Sequence, residues 1–148
     1  MRFRKFYFSL LLLLASLASV AQSSQDKITV IGNGVSYTSL STSELKEIFL
    51  GEQQVDLNKN TITVVLPTAD FIGANEVASL FSGMSLTTFR RYWLSLVFQG
   101  RANPPVYLSS NQKIIDFVLD TPGAIAILYD YNGPVNFTTI PINDSKQK

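Results

Sequence analysis

The 148-residue chain contains no cysteine and no histidine. These absences exclude thiol catalysis, a Ser-His-Asp arrangement and any zinc site built from histidine or cysteine. The 11 acidic residues show no calcium-loop spacing, so the sequence predicts no metal site and no cofactor. Because it also lacks a paired-acid motif for general acid–base chemistry, we expect no catalytic residues and no enzymatic activity.

The chain has one long apolar run, and it lies at the N-terminus. The basic start Met1–Lys5 precedes the apolar residues Phe6–Val20, and small residues lead up to Ala21. This order is typical of a secretory signal peptide, so residues 1–21 are expected to be cleaved and residues 22–148 to be exported to the periplasm. A run of about 15 residues is shorter than the roughly 20 that a membrane-spanning helix needs, so no stable membrane insertion is expected after cleavage.

An excess of charge of one sign is also absent. The whole chain carries 12 basic and 11 acidic residues, and removal of the predicted signal peptide leaves nine basic and 11 acidic residues. A protein that binds nucleic acid through its phosphates is expected to be basic. The sequence therefore predicts no nucleic-acid partner.

Apolar periodicity and capping residues predict one α/β domain in residues 22–148, with a core at about residues 27–141. Helices are predicted from the cap Ser41 to Gly51, around Val77, Leu80 and Phe81, from the cap Ser85 to Gly100, and from Ser109 or Ser110 to Thr121, with Ile114, Phe117 and Val118 facing inward. Strands are predicted at residues 28–31, 62–66, 124–129 and 135–140. Strands that alternate with helices indicate a mostly parallel sheet with helices on both faces.

A glycine turn, Gly32-Asn33-Gly34, follows the first predicted strand. In a dinucleotide-binding fingerprint the third glycine would stand at Tyr37, where the helix must pack closely on the strand, and tyrosine is too large for that position. The next helix also begins several residues later, after Ser41. We therefore interpret the turn as a strand exit that needs a positive φ.

Three phrases carry a resemblance to a known family: STSELKEIFLG at Ser41–Gly51, YWLSLVFQGRANPP at Tyr92–Pro105, and PGAIA at Pro122–Ala126. In this order they resemble small exported proteins similar to the phosphate-binding, substrate-binding component of ABC transporters, in the type II periplasmic binding-protein class. The resemblance implies a single lobe of that fold. It also implies an anion held in the cleft between two lobes by helix N-termini, serine or threonine hydroxyls and often an arginine.

The resemblance directs the search for ligand residues to helix starts and to arginines. The candidate ligand residues are Thr68, Asn75, Ser41, Ser85 and Arg101. Arg90 and Arg91 could also clamp an oxyanion with two parallel hydrogen bonds. Capping serines usually serve only as caps, and arginines on a helix face are usually solvated. Each candidate could therefore have a purely structural or solvated role and no ligand.

The segment after the second predicted strand departs from the family pattern, and this departure leaves two hypotheses open. Phe71 and Ala74 stand near where relatives carry serine and arginine, and Asp70 would repel a phosphate there. The first hypothesis is a solute-binding-like protein that holds phosphate or a similar small oxyanion for an ABC transporter. The second is a single-lobe structural or interaction module, without a small ligand, that binds an envelope protein or a transporter permease.

Overall fold

The computed structural model describes residues 27–143, so the predicted signal peptide lies outside the described residues. In chain order the elements are β1 (Ile28–Gly32), α1 (Thr42–Phe49), β2 (Thr63–Pro67), α2 (Ala74–Ser82), α3 (Leu86–Phe98), β3 (Val106–Leu108), α4 (Asn111–Asp120) and β4 (Ala124–Tyr129). Among these elements, no helix has both the length and the apolar character needed to cross a membrane.

The four strands form one mixed sheet in the order β1-β4-β2-β3. Strand β2 runs parallel to both β3 and β4, whereas β1 pairs antiparallel with β4. The central strands β2 and β4 are almost continuously apolar and buried, as expected where both faces of a parallel sheet are covered. The predicted fold class, an α/β domain with a mostly parallel sheet, is confirmed.

Helices cover both faces of the sheet. Val64 and Leu66 of β2 pack in the larger core layer, which includes side chains of α1, α2 and α3. Val65, between them, points to the opposite layer, where α4 contributes Ile114 and Val118. This alternation follows from the two-residue period of a strand. Helices α1, α2 and α3 pack on one face of the sheet, and α4 packs on the other.

The predicted boundaries of α1 are confirmed by its caps. The Ser41 hydroxyl accepts a hydrogen bond from the Glu44 N–H at 3.2 Å, while the Glu44 carboxylate accepts one from the Ser41 N–H at 2.8 Å. These hydrogen bonds from Ser41 lower the pKa of Glu44. At the other end Gly51 adopts a φ of +70°, the left-handed conformation that favours glycine.

The glycine turn after β1 is a structural turn, as interpreted from the sequence. Gly34 has a φ of +64°, and the Asn33 N–H and C=O both bond to the segment that leads into β4. Tyr37 is buried, and its hydroxyl accepts a hydrogen bond from the Gln53 side chain at 2.9 Å. Burial raises the pKa of Tyr37. This tyrosine therefore belongs to the core.

Two strand predictions need correction. Residues 135–140 do not form a strand: one isolated bridge joins Thr139 to Ile31, and Pro141, directly after this segment, accepts a hydrogen bond from the Leu40 N–H instead of pairing with β1. Conversely, β3 was not predicted, because a three-residue strand directly after two prolines is too short to show a period.

The apolar stripes of α2 and α4 are also rotated relative to the prediction. Leu80 is exposed and Phe117 is only partly buried. The buried positions are instead Ala78 in α2 and Ile115 in α4.

The loop before β2 is organised by Asp56, which is only 3% exposed. One carboxylate oxygen accepts hydrogen bonds from the Asn58 and Asn60 N–H groups at 2.9 and 2.8 Å. The other accepts from the Ser36 N–H and hydroxyl at 3.1 and 2.8 Å. Burial alone would raise the pKa of Asp56, but the hydrogen bonds from Ser36 and Asn60 outweigh it and lower the pKa to about 2.

We expect Asp56 to make the stability of the fold acid-sensitive. Its folded-state pKa lies below the usual value of 3.8, so its contribution is complete above that value and is lost as the pH falls from 3.8 to about 2. In Asp56→Asn, an amide N–H replaces one acceptor and opposes the donors, so the thermal midpoint at neutral pH should fall by roughly 10 °C. Its remaining stability should depend less on pH in this window than that of the parent chain.

Thermal unfolding of both proteins at neutral pH and at several acidic values measures this effect. Asp120→Asn, at an exposed position on α4, serves as the matched control and should change the midpoint little. Equal pH dependence in the parent chain and Asp56→Asn between pH 3.8 and about 2 would contradict the prediction.

Candidate functional site

The candidate site lies at the edge of the sheet where the parallel strands β2 and β3 end, at Pro67 and Leu108. From this edge the chain leaves β2 towards α2 on one face, and leaves β3 towards α4 on the other. Two adjacent parallel strands whose following helices lie on opposite faces leave a crevice between them. In open α/β sheets this crevice is the usual place for a ligand.

Thr68 is the first residue after β2 at this edge. Its N–H donates a hydrogen bond to the Leu108 C=O at 2.9 Å, which joins the ends of the two strands. Its hydroxyl oxygen is buried and has no hydrogen-bond partner of good geometry among residues 27–143. The hydroxyl nevertheless lies near the exposed Asp70 carboxylate and is the main cause of the lowered pKa of Asp70. A buried hydroxyl without a partner is costly, so this group is suited to a bound acceptor.

The helix that follows Thr68 begins without a side-chain cap. Gly73 is the N-cap residue of α2, with a φ of +94°, and its Cα lies against the Tyr129 ring. The other three helices of residues 27–143 are capped by the serine hydroxyls of Ser41, Ser85 and Ser110. The first turn of α2 therefore has no side-chain cap for its backbone N–H groups, although the Ala74 N–H donates to the Phe71 C=O at 3.1 Å and the turn carries the acidic Glu76.

The opposite wall of the crevice comes from the start of α4. The Lys113 ammonium group donates a hydrogen bond to the Ser109 hydroxyl at 3.1 Å, and its charge contributes to the lowered pKa of Asp70. The Asn111 side chain bonds to both backbone groups of Tyr129, at 2.9 and 3.4 Å, and so attaches α4 to the end of β4. The edge thus holds one cation opposite one carboxylate.

Two other predicted ligand residues are occupied as caps, and Asn75 has a structural partner as well. Ser41 is engaged with Glu44, and the Ser85 hydroxyl accepts from the Thr88 N–H at 3.3 Å. The Asn75 side-chain oxygen accepts from the backbone N–H of Leu86, the first residue of α3, at 3.3 Å. Asn75 also lines a separate cavity of about 370 Å³ beside the start of β1.

Arg101 lies away from the edge that contains Thr68. It follows α3, whose 13 residues span about 20 Å from the cap at Ser85. Its backbone C=O accepts a hydrogen bond from the Gln54 side chain. Arg90 instead stacks over the Tyr107 ring, 5.3 Å from its centroid. The structure therefore does not gather the five predicted residues around one ligand; it places Thr68 at the crevice and distributes the rest.

Sequence reasoning missed the wall formed by Ser109 and Lys113. A strand at Val106–Leu108 would have placed these residues at the same sheet edge as Thr68, because parallel strands end together. The signal available was the serine pair directly after that short apolar run. Among the described residues, no group of three or more His, Cys, Asp or Glu side chains could hold a metal ion.

Comparisons with known proteins show the fold. No protein-family model matches the chain, and no curated protein matches it significantly. Residues along 82% of the chain share the fold of about half of one solved structure, which corresponds to a single lobe of the type II periplasmic binding-protein fold. The solved structure is a crystal structure of an ABC-type phosphate transport receptor from Vibrio cholerae, with a TM-score of 0.51 and 16% identity. The chain covers 47% of that receptor, or about half its length.

Proposed function

We propose that the chain is an exported, non-enzymatic solute-binding-like protein that holds a small oxyanion of the phosphate class at the crevice between β2 and β3. The single observation that carries the proposal is the buried Thr68 hydroxyl, which has no hydrogen-bond partner of good geometry among residues 27–143. The likeness to one lobe of a phosphate transport receptor supports the same ligand class. Export and cleavage after Ala21 remain predictions from the N-terminal sequence.

Three groups would hold the anion. The Thr68 hydroxyl donates one hydrogen bond, the uncapped first turn of α2 supplies backbone N–H groups, and the Lys113 ammonium supplies a positive charge. Asp70, exposed beside them, opposes a fully deprotonated anion but can accept a hydrogen bond from a protonated oxygen. Phosphate carries such a proton at neutral pH and sulfate does not, so we expect phosphate to bind more tightly than sulfate.

Replacement of Thr68 by valine tests this site. Calorimetric titration of residues 22–148 with phosphate, in buffer free of phosphate and sulfate, should give a dissociation constant below about 1 mM. Thr68→Val keeps the shape of the side chain and removes the hydroxyl, so phosphate affinity should fall about 10-fold or more. Thermal stability should stay the same or rise, because the variant also removes a buried hydroxyl that has no hydrogen-bond partner of good geometry among residues 27–143.

The matched control is Thr63→Val, at the opposite end of the same strand. Thr63 is half-buried and lies away from the crevice, so this variant should bind phosphate like the parent chain. Equal phosphate affinity in Thr68→Val, or no heat at millimolar phosphate, would reject the proposed site. If Thr68→Val were more stable than the parent chain and bound phosphate equally well, the Thr68 hydroxyl would have no role in ligand binding.

One observation favours the second hypothesis, an interaction module. Ile72, in the turn that leads into α2, is 88% exposed, and it lies beside the crevice rather than in the core. A large apolar side chain on the surface is common by itself and becomes informative only as part of a larger apolar surface. A groove between α3 and β3, lined by residues such as Leu86, Leu94 and Pro105, is a larger surface of this kind, although Ile72 is not part of its lining.

A further inference from the structure

We propose that the groove between α3 and β3 binds an extended peptide segment of another protein, one that presents an apolar and an acidic side chain two residues apart. This groove, of about 440 Å³, is a separate surface from the anion crevice. It is lined by Ala69, Leu86, Thr87, Arg90, Arg91, Trp93, Leu94, Val97, Pro104, Pro105 and Tyr107. The proposal does not depend on oxyanion binding.

The charge of the groove indicates the acidic part of the occupant. Its described lining contains two arginines and no acidic residue. Arg90 lies over the Tyr107 ring at 5.3 Å, a contact that orients the guanidinium and leaves its N–H groups without a carboxylate partner among residues 27–143. Arginine pairs with carboxylates through two parallel hydrogen bonds, so an aspartate or glutamate of a partner complements this position.

The apolar lining indicates the second side chain. Leu94 is 57% exposed on α3, and Val97 lies one turn further along the same face. Pro104 and Pro105 form the facing wall. A concave apolar surface with a few placed polar groups is the usual form of a binding site, and it would cover an aliphatic or aromatic side chain of the partner.

The sheet edge beside the groove indicates an extended backbone. Strand β3 is the last strand of the sheet, and no other segment of residues 27–143 pairs with its outer edge. The Leu108 C=O points to β2, where it accepts from the Thr68 N–H, so the backbone groups of Tyr107 face the free edge. The other edge strand, β1, is contacted by residues 138–140. Strand addition beside Tyr107 would satisfy its N–H and C=O.

The strand period sets the spacing within the peptide. In an added strand, alternate side chains lie on one face, about 7 Å apart. The Tyr107 side chain packs on the α3 side of the sheet, so alternate residues of the peptide fall into the groove on that side. One would contact Leu94 and Val97, and the other would reach Arg90 and Arg91.

A display library of random decapeptides, selected on purified residues 22–148, tests the proposal. We expect enrichment of peptides in which Asp or Glu stands two residues from an apolar residue. The affinity of a synthetic selected peptide should fall about 10-fold or more when Arg90 and Arg91 are both replaced by glutamine. Trp93, the single tryptophan of the chain, lines the groove, so its fluorescence should change on binding. Hydrogen exchange at the Tyr107 amide should slow.

Two variants separate charge recognition from misfolding. Arg91→Gln alone removes a side chain that makes no hydrogen bond or ring contact within residues 27–143, so its weaker peptide binding would not reflect a lost internal contact. Arg101→Gln removes an exposed arginine outside the groove and should leave the affinity unchanged. A selection without the acidic–apolar pattern would overturn the proposal. The proposal would also be overturned if the double variant bound the selected peptide as tightly as the parent chain does, or if the peptide did not slow hydrogen exchange at the Tyr107 amide.

The same proteins distinguish this inference from the proposed anion site. The Arg90 and Arg91 double variant should still bind phosphate, and Thr68→Val should still bind the selected peptide. Loss of phosphate binding in the double variant, with the peptide bound as before, would assign the arginines to the anion and overturn the peptide proposal.

Discussion

Replacement of Trp93 by alanine is expected to lower the free energy of unfolding by about 3–5 kcal/mol. Trp93 is 2% exposed and is among the largest fully buried side chains of the described residues. Its indole N–H donates to the Phe49 C=O at 3.2 Å, which joins α3 to the end of α1. Domains of this size are stable by only about 5–15 kcal/mol, so this single change should remove a large share of the stability.

The large effect follows from what surrounds the ring. Gly51 lies so close that a Cβ added there would be 2.8 Å from the indole and 3.2 Å from the Leu96 side chain. The left-handed conformation of Gly51, at a φ of +70°, holds the chain against the ring, so the loop cannot easily collapse into the space that alanine leaves. A cavity that cannot relax carries the full cost of the missing contacts.

The measurement is urea denaturation followed by far-ultraviolet circular dichroism, because the variant has no tryptophan left to fluoresce. Trp93→Phe keeps an aromatic ring and loses the hydrogen bond to Phe49, so it should fall between the parent chain and the alanine variant. Leu94→Ala, at the next position, changes a side chain that is 57% exposed and should shift stability by less than about 0.5 kcal/mol. A Trp93→Ala loss no larger than that of Leu94→Ala would contradict this account.

The elements that could be predicted from the sequence are those with a strong local signal. The Ser41 and Glu44 pair forms the capping box that its spacing predicts, and the apolar run at Ala124–Tyr129 forms the buried strand β4. Gly51 and Gly100 end their helices with a positive φ, as their positions predict. In these cases one short stretch of sequence contains the signal that identifies the element.

The features that escaped prediction depend on partners distant in the chain. Strand β3 exists because β2, about 40 residues earlier, offers a parallel edge for pairing. Asp56 is a buried hydrogen-bond centre because Ser36 comes within reach of its carboxylate. Lys113 reaches the candidate crevice only once β3 has placed α4 beside Thr68. Composition and periodicity are local properties of the sequence, so they do not predict contacts between residues that are distant in the chain.

The candidate site also combines features that have a local sequence signal with features that depend on distant partners. The sequence could suggest Thr68 because a polar residue directly after a buried strand lies at a sheet edge. It also predicted the caps at Ser41 and Ser85, but it could not show that α2 begins uncapped at Gly73, because that depends on which side chain the N-terminus of α2 meets. The family phrases also mark packing positions more than ligand contacts, and Gly123 of PGAIA is the sharpest example.

Gly123→Ala is expected to destabilise the fold by about 2–5 kcal/mol, through backbone conformation and steric overlap together. Gly123 has a φ of +84°, and a Cβ there would lie 2.6 Å from the Thr61 carbonyl oxygen. The Gly123 N–H donates to the Asn33 C=O at 2.7 Å, and its C=O accepts from the Thr63 N–H at 2.8 Å. Because both of its backbone groups are bonded, the residue cannot move away without breaking the start of the β2–β4 pairing.

Gly100→Ala separates the two contributions. Gly100 has a similar φ of +65°, but a Cβ added there would meet no other atom within 4 Å. It should therefore cost only the left-handed conformation, about 1–2 kcal/mol, and the excess loss in Gly123→Ala measures the overlap with Thr61. Equal losses in the two variants, measured by urea denaturation, would show that the close approach to Thr61 carries no energy. An excess would explain why a glycine stands in this family phrase: it sets the register of β2 against β4, and so the place where β2 ends and Thr68 begins.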